Sequence, residues 1–377
     1  MKTLVHLANF NSTNIGNGAL IFGLERVLRE DLGEGVRFLH DAWDDYTFGL
    51  KSFDGNFVSS INRCDGLIVG AAVTLNGREY LANAGMRFDL PYELWPRFSK
   101  PIVFYGISYR VWPNQPYHHL DKFKRAIDYI LNSPRVMFSV RNDGTKSWLE
   151  SLIGYESEKI EVVPDPALYV PVADSGHPEL MDERVNVLLS LNNEDQTSRF
   201  KDEEQKLEFL KQLALAIDKL AAERDLNIIL CPHYFDDYKI MAELMALLPS
   251  RIAHQKVVSS GLLKVPQAPY FYDLYSKADI ALSMRIHSMS PAIGLGVPML
   301  ALSSQKRMSE FLNTAGLKDF MLDIFDAGLA EKIHTKVEYL LSHREEVRRK
   351  FETVRSAMRD QTRSYNRKIG ALLERAC

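Results

Sequence analysis

The stretch Ala278–Lys306 limits what this chain can fold into more than any other. Asp279–Leu282 is a short apolar run suited to a buried strand, and Val297–Leu302 is a second. Between them lie a polar hexapeptide, Ser283-Met-Arg-Ile-His-Ser288, and a small-residue helical pattern that ends at Gly294 and Gly296. Two buried strands joined through one short helix form a parallel α/β unit. Open parallel sheets bind ligands beyond the carboxyl ends of their strands, where Arg285 and His287 fall. Arginine offers a planar fork matched to phosphate or carboxylate. Histidine can exchange a proton near neutral pH. In an extended loop, side chains two residues apart turn to the same side, so both are expected to face one ligand. A surface arginine with a helix-capping histidine is the plainer alternative. Ser288 and the small residues after it let a helix begin close by.

A chain of 377 residues is too long for one ordinary core. The proline-bearing segment Val170–Pro178 marks the expected boundary between a first domain, 1–175, and a second, 180–325. Residues 326–377 form a helical segment expected to pack across both domains, with Val347, Phe351, Val354, Met358, Tyr365, Ile369 and Leu372 recurring near heptad spacing. A dimerising helix pair or a surface resting on anionic lipid is the alternative for that segment. A net charge of −3 argues against a nucleic-acid partner. Three cysteines build neither a disulfide framework nor a cysteine-rich zinc site, and they suit a reducing cytoplasm. No segment approaches 18 apolar residues, so membrane contact is expected to be peripheral at most.

In the first domain, Thr3–Ala8, Val36–His40, Gly66–Gly70, Pro101–Ile107 and Val136–Val140 read as strands, and Ile160–Val163 with Asp165–Leu168 completes the sheet. Asn14, Gly16, Asn17 and Gly18 lie between the first strand and a helix over Ala19–Leu32, an arrangement able to cradle a phosphate. It is not a dinucleotide fingerprint, because position 21 is Ile; a tight turn is the alternative. Residues 76–99, with Arg78, Tyr80, Trp95 and Arg97, read as an extended loop whose aromatics suit a sugar ring or simply pack on the surface. Gly106-Ile-Ser108 is no nucleophile elbow, since position 110 is Arg and Trp112-Pro113 follows. Ser108 is instead a candidate hydrogen-bond donor. His118, His119 and Asp121 lack a second ligand cluster, so no metal is expected there. Arg141 follows a strand end, with a salt bridge to Asp143 as its structural alternative. Asn142 and Asp143 are candidate helix caps.

The second domain repeats the alternation through strands Val185–Leu191, Asn227–Cys231 and Lys256–Ser259 and helices Phe200–Glu223 and Pro269–Ser276. The first of those helices carries Leu207, Leu210, Leu213, Ile217 and Leu220 at helical spacing. His233 follows a strand end, and Asn192–Asp195 follows another; both loops are candidate acceptor contacts, with ordinary caps as the alternative.

The run from Ser283 to Lys306 resembles the C-terminal signature of the polysaccharide pyruvyl transferases. The resemblance extends to Asn14-Ile-Gly-Asn-Gly-Ala-Leu, Lys100-Pro-Ile-Val-Phe-Tyr-Gly-Ile-Ser, Ser139-Val-Arg-Asn-Asp and Val163-Pro-Asp-Pro-Ala-Leu. It implies an α/β fold of two Rossmann-like domains facing a cleft, as in GT-B glycosyltransferases. It also implies transfer of an enolpyruvyl unit from phosphoenolpyruvate to two hydroxyls of one sugar, which can be lipid-linked. Arg141 and Arg285 would hold the anionic donor and His287 would be the acid, with no cofactor. Asn17 stands where the family usually has an acidic residue, and Val69–Val73 replaces a glycine-rich turn. A nucleotide-sugar glycosyltransferase and a non-catalytic glycan-binding relative are the other classes. The acceptor sugar and the oligomeric state stay open.

Overall fold

The computed structural model describes residues 2–77, 80–110, 117–194 and 199–375. It divides into two units, each built on its own parallel sheet. The first comprises Met1–Ser12, Leu20–Pro166 and Met358–Cys377; the second comprises Thr13–Ala19 and Ala167–Ala357. Relative to the sequence boundary at 175–180, the division falls earlier. Thr13–Ala19, the start of the helix after the first strand with the two residues before it, belongs to the second unit.

The first sheet takes β1 (Lys2–Ala8), β2 (Val36–Ala42), β3 (Gly66–Gly70), β4 (Val73–Asn76), β5 (Ile102–Arg110), β6 (Val136–Arg141) and β7 (Glu161–Val163). Its order is β2-β1-β3-β5-β6-β7, with β4 pairing the far end of β5. Near-continuous apolar runs such as Gly66–Gly70, buried along their whole length, are what a sheet covered on both faces demands. The second sheet takes β8 (Val185–Ser190), β9 (Leu226–Leu230), β10 (Val257–Ser259), β11 (Ile280–Ser283), β12 (Met299–Ser303) and β13 (Met321–Asp323). Its order, β10-β9-β8-β11-β12-β13, reverses between β8 and β11. That reversal opens a crevice at their carboxyl ends.

The core of the first unit is aromatic. Phe57, Phe88, Trp95, Phe104 and Phe123 are all buried in one cluster. Trp95 therefore belongs to the core rather than to a surface loop, because it packs on Phe88 and Phe104. Residues 76–99 contain the end of β4 and a short 3-10 helix, Tyr92–Arg97. Tyr80 and Arg97 are exposed, while Arg78 and the Trp112-Pro113 pair lie outside the described residues. Pro166–Tyr169 is a 3-10 turn, not sheet, as proline's missing N–H would suggest.

In the second unit, helix Glu203–Glu223 buries Leu210, Leu213, Ile217 and Leu220 but leaves Leu207 41% exposed, on the flank of the apolar stripe. Helix Ile286–Leu295 is rich in small residues because it runs tight against Leu168, whose carbonyl a Cβ at Gly294 would meet at 1.9 Å. Helix Arg344–Arg375 is continuous; residues through Ala357 count with the second unit and those from Met358 with the first. It buries Val347, Phe351, Met358, Tyr365, Ile369 and Leu373, with Leu373 rather than Leu372 as the last apolar anchor.

Candidate active site

Three loops of the second unit emerge side by side from the carboxyl ends of β8, β9 and β11, at the reversal of strand order. The β11 loop is shorter than the sequence pattern suggests. The helix starts at Ile286, so Arg285 is its N-cap residue, in an extended conformation, and His287 sits inside the first turn. The expectation that both side chains share one side of an extended strand is thus corrected. The small residues after Ser288 allow helix to begin two positions early, and helical rotation separates the pair.

Arg285 is nearly buried and bridges two carboxylates. Its Nη2 lies 2.5 Å from Asp237 Oδ1 and its Nη1 lies 3.2 Å from Glu194 Oε2. Burial works against its charge, but Asp237 first and then Glu194 outweigh it and hold the guanidinium firmly protonated. Asp237, at the start of helix Asp237–Leu247 and fully buried, also accepts backbone N–H bonds from Asn193, His233 and Tyr234. One carboxylate therefore ties all three loops together. The sequence placed both acids in candidate acceptor loops but paired neither with Arg285. The partners stand 48 and 91 residues from Arg285, and only the general need of a buried arginine for counter-charge hints at them.

His287 is half-buried, its carbonyl accepting a 2.7 Å bond from Tyr272 Oη. Its ring lies against Gly16, where a Cβ would come within 2.8 Å of Nδ1. A Cβ at Gly18 would strike Ala268 and the Val265 carbonyl at 2.5 and 2.6 Å. The first-turn N–H groups of this helix, Ile15–Leu32, are used internally. Ile15 donates to the His233 carbonyl, Gly16 to Asn14 Oδ1 and Asn17 to the Asn14 carbonyl. The phosphate-cradle reading of Asn14–Gly18 is corrected accordingly: the Ile15, Gly16 and Asn17 donors are used within the fold, and the glycines serve close packing, Gly16 against His287 and Gly18 against Val265 and Ala268. Asn17 is half-buried at the same turn.

His233 is fully buried, with Nδ1 3.1 Å from both Ser190 Oγ and the Cys231 carbonyl. Burial, helped by the Arg285 charge, pushes it down to about 4, so it is neutral at physiological pH. Ser288 lies 2.7 Å from Ser283 Oγ and 3.0 Å from Tyr275 Oη, a fully buried chain that pins the helix start. Both His233 and Ser288 support the loops from below.

In the first unit, Arg141 ends β6 and is 1% exposed. It bonds Asp165 through Nη1 at 3.2 Å, and Asn142 Oδ1 accepts from the Asp165 N–H. Asp143 is not the Arg141 partner. It accepts from Ser108 Oγ at 2.7 Å and Thr145 Oγ1 at 2.5 Å. Helix Thr145–Ile153 has Gly144 at its N-cap and no side-chain cap there, so neither Asn142 nor Asp143 caps it. Ser108 is a donor, but one spent inside the fold.

Solved structures similar to this one share its architecture at low sequence identity. UDP-GlcNAc 2-epimerase from Methanocaldococcus jannaschii has TM-score 0.53 and 14% identity, covering 90% of this chain and 92% of its own. The Neisseria meningitidis UDP-GlcNAc 2-epimerase, bound to UDP-GlcNAc, has TM-score 0.52 and 15% identity over 93% and 94%. A glycosyltransferase from Rickettsia africae ESF-5 has TM-score 0.52 and 13% identity over 99% and 98%. The class defined is therefore the two-domain α/β fold of GT-B glycosyltransferases and epimerases. Within it, the family model described as polysaccharide pyruvyl transferase matches residues 14–306, and the chain belongs to that family, which makes it a transferase. No curated protein matches it in sequence.

Proposed function

We propose that the protein transfers a pyruvyl unit from phosphoenolpyruvate to two hydroxyls of one sugar, in the synthesis of a cell-surface or exported polysaccharide. Protonation of the donor's C3 creates a cationic C2 that one hydroxyl captures. Loss of phosphate regenerates the cation, and the second hydroxyl closes the ketal. The two hydroxyl protons end on the new methyl group and the phosphate. The chemistry needs one acid above the alkene and cations for the carboxylate and phosphate.

The observation that carries the reading is a buried, charged Arg285 at the N-cap of a helix whose first turn carries His287, beside the strand-order reversal, in a chain of this family. His287 is proposed as the acid and Arg285 as the anion contact; the family motif also assigns Arg141 to the donor anion. Two carboxylates pair with Arg285 through Nη1 and Nη2, so a donor anion at those atoms competes with one of them. Glu194 is that one, being partly exposed where Asp237 is fully buried. No helix among the described residues is long and apolar enough to cross a membrane, and the acceptor is proposed to be nucleotide- or lipid-linked.

Phosphate release from phosphoenolpyruvate in the presence of such sugars tests the reaction. His287→Gln should lower kcat about 10²–10⁴-fold with donor affinity retained. A folded variant with parental turnover removes the acid role. Stabilisation by a nucleotide-sugar but not by phosphoenolpyruvate in a melting experiment would instead favour a glycosyltransferase.

A further inference from the structure

Away from that site, the first unit gathers three metal-ligand side chains. His6 on β1 and His40 on β2 are register partners on adjacent parallel strands, so their side chains rise from the same face. Helix Ile15–Leu32 lays Glu25 over them. His6 Nδ1 and His40 Nε2 both lie 2.8 Å from the same oxygen, Glu25 Oε1. The three donor atoms fall within 4.8 Å of one another, the one such group among the described residues.

The surrounding bonds bear on what sits between them. His6 Nε2 lies 2.5 Å from the Gly70 carbonyl, which can only accept, so that nitrogen carries a proton. With its far nitrogen anchored on that carbonyl, His6 holds Nδ1 toward Glu25 Oε1, the orientation a metal-ligating imidazole takes. A proton or a metal ion can bridge Nδ1 and Oε1, and the convergence of His40 Nε2 on the same oxygen gives a metal its third ligand. His6 and Glu25 are both buried, and Phe10 stacks on His40 at 4.1 Å. The outer contacts are those that orient metal ligands: a carbonyl accepting from the far nitrogen of His6, and Arg29 Nη2 3.1 Å from the other Glu25 oxygen. His40, 45% exposed at its side chain, also lines a surface cavity of about 620 Å³, which gives an ion a way in.

We propose that His6, Glu25 and His40 bind a divalent transition-metal ion, zinc by ligand type, through Nδ1, Oε1 and Nε2, with a fourth position open to water. The ion would brace β1, β2 and the helix against one another, and the assignment is independent of the transferase reaction.

Full-length protein stripped with a chelator and titrated with zinc by calorimetry should take up one equivalent that His40→Ala lacks or binds at least about tenfold more weakly. Glu25→Gln should do the same. His40 is the surface member of the cluster, so its variant keeps the fold. Zinc should raise the melting temperature of the parent and not that of His40→Ala. Identical titrations of parent and His40→Ala would overturn the site. So would the absence of that equivalent together with nitrogen NMR showing both His6 ring nitrogens protonated at neutral pH, which would put a proton where the metal is proposed.

Discussion

Arg285 carries one positive charge against two carboxylates, and the inequality of those partners decides what it can do. Asp237 is sealed in and bound by three backbone donors. Glu194 is partly exposed and is the partner a donor would compete with. Removing the Glu194 charge should therefore free the fork: Glu194→Gln is expected to tighten phosphoenolpyruvate binding. Arg285→Ala should weaken it by roughly ten- to a hundredfold, the usual cost of a charge-assisted contact. Calorimetric titration of the donor checks both. Equal affinities in the parent and the Glu194 variant would mean that the donor does not compete for this guanidinium.

At the scale of elements, the β8, β9 and β11 loops owe their arrangement to a neutral, buried His233 as well as to Asp237. His233 titrates at about 4 in the fold, against an ordinary value of 6.5. The unfolded chain thus binds the proton more readily than the folded one between those values. The stabilising contribution is complete above pH 6.5 and is lost as pH falls toward 4, amounting to about 3 kcal/mol. Denaturant unfolding measured from pH 7 to pH 4 should show this loss, and His233→Gln should flatten that part of the profile. A variant whose stability falls as steeply as the parent's would shift the acid sensitivity to other groups.

For the whole molecule, the C-terminal helix is as much a part of the first unit as its strands are. Met358, Tyr365, Ile369 and Leu373 are buried there. Asn366 joins Tyr105 Oη at 2.9 Å and Asp31 at 2.7 Å, and Arg359 grips Asp31 through both Nη atoms. Each buried apolar side chain contributes roughly 1.5–3 kcal/mol, and ending the chain after Ala357 removes all four. Hydrogen exchange of that truncated protein should show protection lost over β1–β7 and largely kept over β8–β13. Uniform protection in both sheets would show the helix dispensable to the first unit.

The sequence determined the elements themselves. Buried parallel strands are continuous apolar runs, so Gly66–Gly70 and Val136–Val140 stand out unaided, as does the alternation with helices that makes both halves α/β. It also determined that Arg285 and His287 follow a strand end, because that position depends only on local pattern. What holds Arg285 was decided by tertiary structure, since Glu194 and Asp237 come from other loops and nothing local marks which acid a distant arginine will meet. The same is true of Gly16: its need for a bare backbone comes from the His287 ring, 271 positions further along the sequence numbering. His6, Glu25 and His40 show the division most plainly. Each is unremarkable in its own segment, and only the parallel register of β1 on β2, with a helix laid across them, brings their donor atoms together.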